Sequence, residues 1–179
     1  MKTERKYPGV QITKKGEISL RGGHPWVYDA EITGILGEER LHDGDLVDVF
    51  SSKGRYLGTG FYNHHSKIRV RVISNNANDA SDQAFFARRL RYAWEYRKTV
   101  MGEDKDCCRL IFGEADQFPG LTVDRFHDIL VTQTLSLGIE QRKEMLFPLL
   151  YQILREDGEN IRGIYERNDV AIRRLEGLE

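Results

Sequence analysis

The hydrophobic pattern divides the chain into a β-rich first part and an α+β second part. Up to about residue 75 the apolar runs are short and lie between glycine, proline and Asn/Asp turn residues, which is typical of strands joined by tight connections. The predicted elements are a strand begun by Val10 and Ile12, a turn at Lys14–Gly16, a short apolar run at Ile18–Leu20, a short helix that Pro25 could open, and strands at Leu46–Phe50 and Arg55–Tyr62. Gly58 and Gly60 in the last strand indicate a bulge or a close backbone approach.

The strongest strand pattern covers Lys67–Ile73. Its apolar residues Ile68, Val70 and Val72 alternate with the cations Lys67, Arg69 and Arg71. A period of two predicts three cations in a row on one face, about 7 Å apart along the strand. That distance is close to the phosphate spacing of a nucleic-acid strand. The competing interpretation is an antiparallel strand with one wet face, on which lysine and arginine also protect an edge.

A polar segment and a helix connect the two parts. Ser74–Ser81 is rich in turn residues and is the best candidate linker, and Asp82 can cap a helix that runs to about Val100. Its apolar stripe, which includes Phe86 and Leu90, predicts packing across the domain junction. Arginines at positions 88, 89 and 91 give the helix a basic outer side that we expect to be solvated.

The second part predicts a small α+β unit. Its predicted elements are a buried strand at Leu110–Phe112, a structured loop at Gly113–Gly120, a strand at Ile129–Leu137, a helix at Gly138–Arg155, a strand at Ile161–Tyr165 and a short helix at Arg167–Leu175 begun by Asn168 or Asp169. Pro148 lies within the long helical stripe, where an interior proline costs about 3 kcal/mol. We therefore expect this helix to start near Pro148 or to be kinked there.

Composition narrows the class of protein. The chain has 179 residues, of which 40% are hydrophobic and 31% charged, so one or two soluble domains are expected. The net charge of −1 gives no global basic signal, and any argument for nucleic acid needs a local patch. The two cysteines, Cys107 and Cys108, are adjacent, which favours a reducing cytoplasmic setting. No apolar run approaches the roughly 20 residues that span a bilayer, and the charged N-terminus does not resemble an export signal.

Motifs of catalysis are missing from the sequence. It has no GxGxxG after a strand, Walker loop, HExxH, paired CxxC or nucleophile elbow. His64 and His65 are adjacent, so on a strand they would face opposite sides and could not readily share a metal. Glu114 and Asp116 form a carboxylate pair in a glycine-rich loop, where capping and turn roles are commoner than binding a base or a metal. We therefore predict no catalytic residue and no metal site in this chain, and structural cysteines.

A recognition surface remains as the best functional candidate. RNA readers use aromatic planes and guanidinium groups to stack unpaired bases, and cations to hold phosphates. The residues of these types in the β-rich part are the aromatic residues Trp26, Tyr28, Tyr56 and Tyr62 and the basic residues Arg21, His24, Lys67, Arg69 and Arg71. Trp26 follows Pro25 and fits a core position better than a base platform, so the basic stripe is the stronger candidate.

Four blocks of sequence, in order, resemble a known family. They are RGGHPWVYDAEI, YLGTGFYNHHSKIRVRVIS, RLIFGEADQFPGLTVDRF and YERNDVAIRRLEGL. Together they resemble the bacterial large-subunit ribosomal RNA methyltransferase I family, whose members use S-adenosylmethionine to make 5-methylcytosine. The resemblance implies an α+β chain: an N-terminal PUA-type RNA-binding β pseudo-barrel at residues 1–75, a linker and connecting helix at 76–102, and a central α+β domain at 103–179.

The resemblance also implies a missing part. In this family a Rossmann domain follows the central domain and carries both the S-adenosylmethionine loop and the catalytic cysteine, which neither Cys107 nor Cys108 matches. We therefore expect the chain to be truncated before its C-terminal methyltransferase domain, to bind no cofactor and to be inactive alone. We expect ribosomal RNA as partner, a cytoplasmic location and no membrane.

The candidate residues fall into two groups. Residues expected to contact RNA are Arg21, His24, Lys67, Arg69 and Arg71. Residues expected to hold the central loop against the catalytic domain are Glu114, Asp116, Asp124 and Arg125. A second interpretation is a non-enzymatic PUA-type RNA-binding protein with a partner-binding α+β domain. A third is structural: the central domain forms a homodimer and the basic strand is a wet face.

Overall fold

Two β-sheets share one long helix in the computed structural model, which describes residues 6–179 except the side chain of Glu38. The strands are β1 (Gly9–Ile12), β2 (Trp26–Tyr28), β3 (Ile32–Leu36), β4 (Leu46–Ser51), β5 (Tyr56–Tyr62), β6 (Ile68–Ser74), β7 (Cys107–Phe112), β8 (Leu121–Phe126), β9 (Ile129–Thr134) and β10 (Gly163–Glu166). The α-helices are α1 (Lys14–Arg21), α2 (Gln83–Met101), α3 (Leu137–Glu140) and α4 (Lys143–Glu156). Shorter 3₁₀ turns include Gly113–Asp116 and Ala171–Glu176.

The first sheet has the strand order β2-β6-β5-β4-β1-β3. All its neighbours are antiparallel except β1 and β4, which are parallel. The sheet has a small core of its own, made by Val10, Ile12, Val27, Val47, Val49, Tyr62 and Val70. The close backbone approach predicted in β5 is confirmed: a Cβ on Gly60 would collide with the carbonyl oxygen of Arg71, at a shift in strand register.

Two local predictions in the first sheet are wrong. The segment expected to turn at Lys14–Gly16 forms helix α1, because the hydroxyl of Thr13 caps it by accepting a hydrogen bond from the backbone N–H of Gly16 (3.2 Å). Glu17 then bonds to both Lys14 and Arg21 along the helix, each at 3.0 Å. Pro25 precedes strand β2 instead of opening a helix, in keeping with its inability to donate a hydrogen bond.

The second sheet has the order β10-β9-β8-β7, with β10 parallel to β9 and the other pairs antiparallel. Helices α2 and α4 contribute to a shared core with this sheet, through buried residues such as Leu90, Leu110 and Leu150. The predicted α+β class is therefore confirmed. Within the described residues, no helix combines the length and the apolar character needed to cross a membrane.

Helix α2 packs across the junction, as predicted. The carboxylate of Asp82 caps it by accepting a hydrogen bond from the backbone N–H of Phe85 (2.9 Å). The core around α2 also includes Phe61 and Ile73 of the first sheet. The ring of Phe61 on β5 stacks on that of Phe86 on α2 with centroids 6.5 Å apart, so the helix packs directly against the first sheet.

The last third departs from prediction mainly at element ends. The helix expected over Gly138–Arg155 is two helices, α3 and α4, and α4 begins at Lys143 and continues through Pro148 without stopping there. Strand β10 begins two residues later than expected, and the final helix is the 3₁₀ turn Ala171–Glu176. Gly138 of α3 lies so close to Phe61 of β5 that a Cβ at this position would collide with the Phe61 ring. This close approach explains why a glycine occupies the position.

Candidate functional site

A buried polar network joins the two halves of the chain, and we name it the polar junction. Its centre is Arg71 on β6, whose guanidinium donates to Glu176 Oε1 (2.7 Å) and lies 3.4 Å from Glu114 Oε1. The indole N–H of Trp26 on β2 donates to the same oxygen of Glu114 (2.8 Å). The guanidinium lies 5.6 Å from the Trp26 ring centroid, and only 11% of the Arg71 side chain is exposed. Arg71 therefore ties the first sheet to two segments of the second half.

The carboxylate of Glu176 is buried but well supplied with donors. It accepts hydrogen bonds from Ser66 Oγ (2.5 Å) and Asn63 Nδ2 (3.2 Å) in addition to Arg71. Asn63 Nδ2 also donates to the backbone carbonyl of Glu176 (2.9 Å). Because a buried charge without partners costs several kcal/mol, these bonds explain how the C-terminal 3₁₀ turn can lie against the bend before β6.

An open cleft lies next to the polar junction, and we name it the junction cleft. Its volume is about 430 Å³, and it is bounded by the α1–β2 connection, the end of β6, the turn that follows β7, and helix α2. The polar residues that line it are His24, Ser74, Asn75, Arg89, Glu114 and Gln117. A smaller depression shares Arg89 with it and extends past Tyr92 along α2. The cleft is thus formed by both halves of the chain.

Arg89 brings a weakly paired positive charge to the junction cleft, since Asp79 interacts with it only beyond ion-pair distance. Its half-buried guanidinium lies 4.2 Å from the centroid of the Phe85 ring and donates to the carbonyl of Gln117 (3.3 Å). No carboxylate of the described residues lies within 4.0 Å of it, whereas the neighbouring Arg88 pairs with Asp79 at 3.0 Å. Burial lowers the pKa of Arg89 to about 10, so it stays charged at neutral pH. Free donors on a charged guanidinium suit a phosphate group.

Three aromatic rings stand beside the cleft. His24, which lines it, lies 5.3 Å from Trp26 and 6.0 Å from Tyr28, measured between ring centroids. Tyr28 is exposed, and the Trp26 and Tyr28 rings meet edge to face at 6.3 Å. The prediction that Trp26 is a core residue is wrong in part, because its ring is only half-buried and its N–H serves the polar junction. The rings of His24 and Tyr28 are suited to stacking on a base.

The predicted stripe of three solvated cations on one face does not form. Lys67 is exposed but lies in the bend before β6, and Arg71 is enclosed by Glu114 and Glu176. Arg69 pairs with Asp29 and also bonds to the carbonyl of His64, leaving 16% of its side chain exposed. Arg69 and Arg71 do lie on β6, but other segments of the chain supply the carboxylates and the carbonyl that enclose them.

The remaining expected RNA contacts are accessible. Arg21 is exposed and pairs with Glu17 at 3.0 Å on α1, and His24 opens into the junction cleft. RNA contact by all five residues stays a prediction. His24, Lys67 and Arg21 are the accessible members of this set, whereas Arg71 is enclosed in the polar junction. The sequence pattern predicted a solvated Arg89, whereas this side chain is half-buried and lines the junction cleft.

The four docking candidates are engaged within the chain. Asp116 binds Arg97 of α2 (2.5 Å) and accepts from the N–H of Phe112 (2.7 Å). Arg125 is buried and pairs with Glu159 (2.7 Å) and Asp106.

The other two docking candidates are more accessible. Glu114 serves the polar junction, and Asp124 pairs with Arg109 (2.8 Å) on the partly exposed side of β7 and β8. The docking role stays a prediction, but Asp116 and Arg125 can support it only indirectly, because internal partners already use their charges.

The expectation that His64 and His65 face opposite sides is wrong. They lie in the bend between β5 and β6 and not on a strand, so their side chains converge with Asp43, and the two ring centroids are 3.8 Å apart. The cysteines are free; burial raises the pKa of the Cys108 thiol, which keeps it protonated and poorly nucleophilic at neutral pH.

The first sheet defines the class of the chain. Residues 10–75 match the family of PUA-like domains, in agreement with the six-stranded mixed sheet. The chain therefore contains a PUA-like region, and helix α2 joins its sheet to the second, four-stranded sheet.

Curated relatives narrow the similarity further. It is 36% identical, over 99% of its length, to ribosomal RNA large subunit methyltransferase I of Klebsiella pneumoniae, and 38% identical, over 94% of its length, to the protein of that name from Escherichia coli. The chain is thus a homologue of the ribosomal RNA large subunit methyltransferase I proteins, as the resemblance of its motifs predicted. It spans 43% and 41% of the lengths of these two relatives.

Solved structures agree on the fold. A protein from Streptococcus mutans described as a SAM-dependent methyltransferase superposes with a TM-score of 0.73 at 19% identity, covering 89% of this chain and 40% of that one. A second solved chain, described as a methyltransferase complexed with SAH, gives the same TM-score and coverage at 18% identity. At these identities the likeness shows the fold alone.

Proposed function

We propose that this chain is the RNA-recognition portion of an S-adenosylmethionine-dependent ribosomal RNA (cytosine-C5) methyltransferase. The names of the relatives and the PUA-like domain support ribosomal RNA as the ligand. The observation that carries the proposal is the junction cleft, where the guanidinium of Arg89 has no carboxylate partner among the described residues and faces the same space as His24. A backbone phosphate at Arg89 would leave a neighbouring base within reach of the aromatic rings.

The role of this portion is to bind and orient the RNA. Arg89 holds a phosphate in the cleft, His24 and Tyr28 offer faces for stacking, and Arg21 and Lys67 add longer-range attraction. Arg71 keeps the PUA-like domain and the second domain in a fixed relation through Glu114 and Glu176. Because the two domains are held in a fixed orientation, residues from both sides of the cleft can contact the same RNA molecule.

Methyl transfer itself is assigned to the part of the relatives that this chain does not match. We propose that S-adenosylmethionine binds there and supplies the methyl group, in a cytoplasmic enzyme. The purified 179-residue chain should therefore transfer no methyl group to ribosomal RNA in the presence of the cofactor. Incorporation of a radiolabelled methyl group above a no-protein control would contradict this assignment.

The RNA proposal is tested by binding of a labelled fragment of large-subunit ribosomal RNA, followed by fluorescence anisotropy at several salt concentrations. Arg89→Ala should weaken binding about tenfold and lower the salt slope by about 1, because one phosphate contact is lost. Arg91→Ala is the matched control, since it removes the same charge from a nearby position on α2, where Glu156 already pairs with it at 3.3 Å. Equal effects of the two variants would reject a specific role for the cleft.

A further inference from the structure

A second cluster of polar side chains lies apart from the junction cleft. The ligand atoms of Asp43, His64 and His65, one from each, lie within 4.8 Å of one another. The Nδ1 atom of His64 contacts Asp43 Oδ2, and His65 Nε2 is 3.7 Å from the same oxygen. The two imidazoles are exposed, whereas 21% of the Asp43 side chain is exposed. Two imidazoles and one carboxylate therefore converge on one partly open space.

The backbone holds the three residues in place independently of their ring atoms. Asp43 Oδ1 accepts a hydrogen bond from the backbone N–H of His64 (2.6 Å), which ties the turn before β4 to the bend before β6. The N–H of Gly44 donates to the carbonyl of Tyr62 (2.7 Å), and the N–H of His65 donates to Asn63 Oδ1 (3.0 Å). The convergence is thus a property of the loops and not of one flexible contact.

Elements of the second domain enclose the cluster on one side. Gln141 Nε2, after α3, donates to the carbonyl of Asp43 (2.8 Å). Gly177, at the end of the C-terminal turn, lies so close to His65 that a Cβ there would be 3.3 Å from its ring. Arg69 binds the carbonyl of His64, which directs its charge to the backbone. The cluster therefore lies where both domains meet, on a different set of loops from the cleft.

We propose that Asp43, His64 and His65 bind a divalent transition-metal ion of the zinc type. Imidazole nitrogen and carboxylate oxygen are preferred zinc ligands, and three protein ligands with water in the remaining position form a common arrangement. Bonds of about 2 Å in a tetrahedron place ligand atoms about 3.3 Å apart. The His65–Asp43 distance of 3.7 Å is already close to that value, and the tighter His64–Asp43 pair would open slightly to admit the ion.

A bound ion would fasten the turn at Asp43 to the bend at His64 and His65. Both segments contact the second domain, through Gln141 and Gly177 respectively. Binding to the folded state alone raises stability in proportion to the logarithm of the metal concentration. We therefore expect the metal to stabilise the junction between the domains, independently of RNA binding.

The test is titration of metal-free protein with Zn²⁺ by isothermal calorimetry, in a Cys107→Ser/Cys108→Ser background without a histidine tag. This background removes the two thiols, which are themselves zinc ligands. One ion per chain should bind with a micromolar dissociation constant and raise the melting temperature. His64→Ala, His65→Ala and Asp43→Asn should each weaken binding at least tenfold, with circular dichroism confirming the fold.

The matched control is His127→Asn, which removes an exposed histidine elsewhere and suits the positive φ of 53° at that position. It should leave the affinity unchanged. Titration with Co²⁺ should give intense d–d absorption typical of a tetrahedral site, lost in His65→Ala. Absence of one-to-one binding at a Zn²⁺ concentration of about 100 µM would show that the three residues form only an Asp–imidazole hydrogen bond. Equal weakening of Zn²⁺ binding by His127→Asn would lead to the same conclusion.

Discussion

The polar junction and the junction cleft each contain an arginine, and the two arginines have opposite surroundings. Arg71 is 11% exposed and pairs with both Glu114 and Glu176. Arg89 is half-buried on the ring of Phe85 and has one hydrogen bond, to a backbone carbonyl, with no carboxylate of the described residues within 4.0 Å. The comparison shows that the partners of an arginine, and not its presence in a basic pattern, decide whether its charge is free for a ligand.

The physical reason is the cost of desolvation. A buried charge is tolerated when opposite charges and hydrogen bonds replace its contacts with water. Removal of one partner leaves the other charge buried and unpaired, and its desolvation is then no longer compensated. Arg71 belongs to this class, with two carboxylates around one guanidinium. The guanidinium of Arg89 keeps donors that only water or an incoming anion can satisfy.

The largest expected effect is that of a substitution that removes the central arginine of the polar junction. Arg71→Met should lower the free energy of unfolding by about 4 kcal/mol, because the buried carboxylate of Glu176 loses its cation. Arg89→Met should change it by less than about 0.5 kcal/mol, since no buried charge is left unpaired. Urea unfolding of both variants measures the difference. Similar losses in the two variants would show that the contrast between the arginines is not energetic.

A second prediction concerns Glu140, a half-buried carboxylate outside the polar junction that is likewise surrounded by donors. Burial raises the pKa of Glu140, but hydrogen bonds from Lys143, Thr134 and Arg173 outweigh it and lower the pKa to about 2. The folded-state pKa lies below the unfolded value of about 4.5, so the stabilisation is complete above pH 4.5 and is lost as the pH falls towards 2. After allowance for solvent screening, it amounts to about 2 kcal/mol.

Glu140→Gln is the variant that measures this contribution. Its destabilisation relative to the native chain should be largest at pH 7 and should shrink as the pH is lowered to 3.5. Urea unfolding at a series of pH values gives the difference directly. A difference that stays constant with pH would mean that Glu140 contributes through packing and not through its charge.

The smallest expected effect is that of a substitution at Trp26, which lies between the polar junction and the junction cleft. Trp26→Phe keeps an aromatic ring beside the cleft but removes the N–H that donates to Glu114 Oε1. We expect a loss of about 1 kcal/mol in unfolding free energy, the usual net value of one hydrogen bond. RNA affinity should change less than in Arg89→Ala. A larger loss of RNA affinity than of stability would place Trp26 in the binding cleft itself.

Local patterns predicted the elements in which short-range interactions dominate. Asp82 and the stripe through Phe86 and Leu90 correctly predicted helix α2, because capping and amphipathic spacing act within a few residues. Alternation correctly predicted β6. The helix after Thr13 was missed because its single cap competes with a glycine and two lysines that also suit a turn.

The candidate site was predicted less completely than the fold. His24 was identified from the sequence, and it does line the junction cleft. Arg89 was not identified, since a basic position on a helix is usually solvated and only the turn at Gln117 encloses it. The convergence of His64 and His65 was not predicted, because strand geometry would place their side chains on opposite faces and the two residues instead lie in a bend.

The sequence by itself determined the α+β class, the long connecting helix and, through its motifs, the relation to the ribosomal RNA large subunit methyltransferase I proteins. Only the tertiary structure decided which charges are free. Arg71 meets Glu176, which is 105 residues away, and Asp43 meets His64 across two strands. Such encounters depend on how the sheets pack, and the energy of a charge depends on what surrounds it in space and not on its neighbours along the chain.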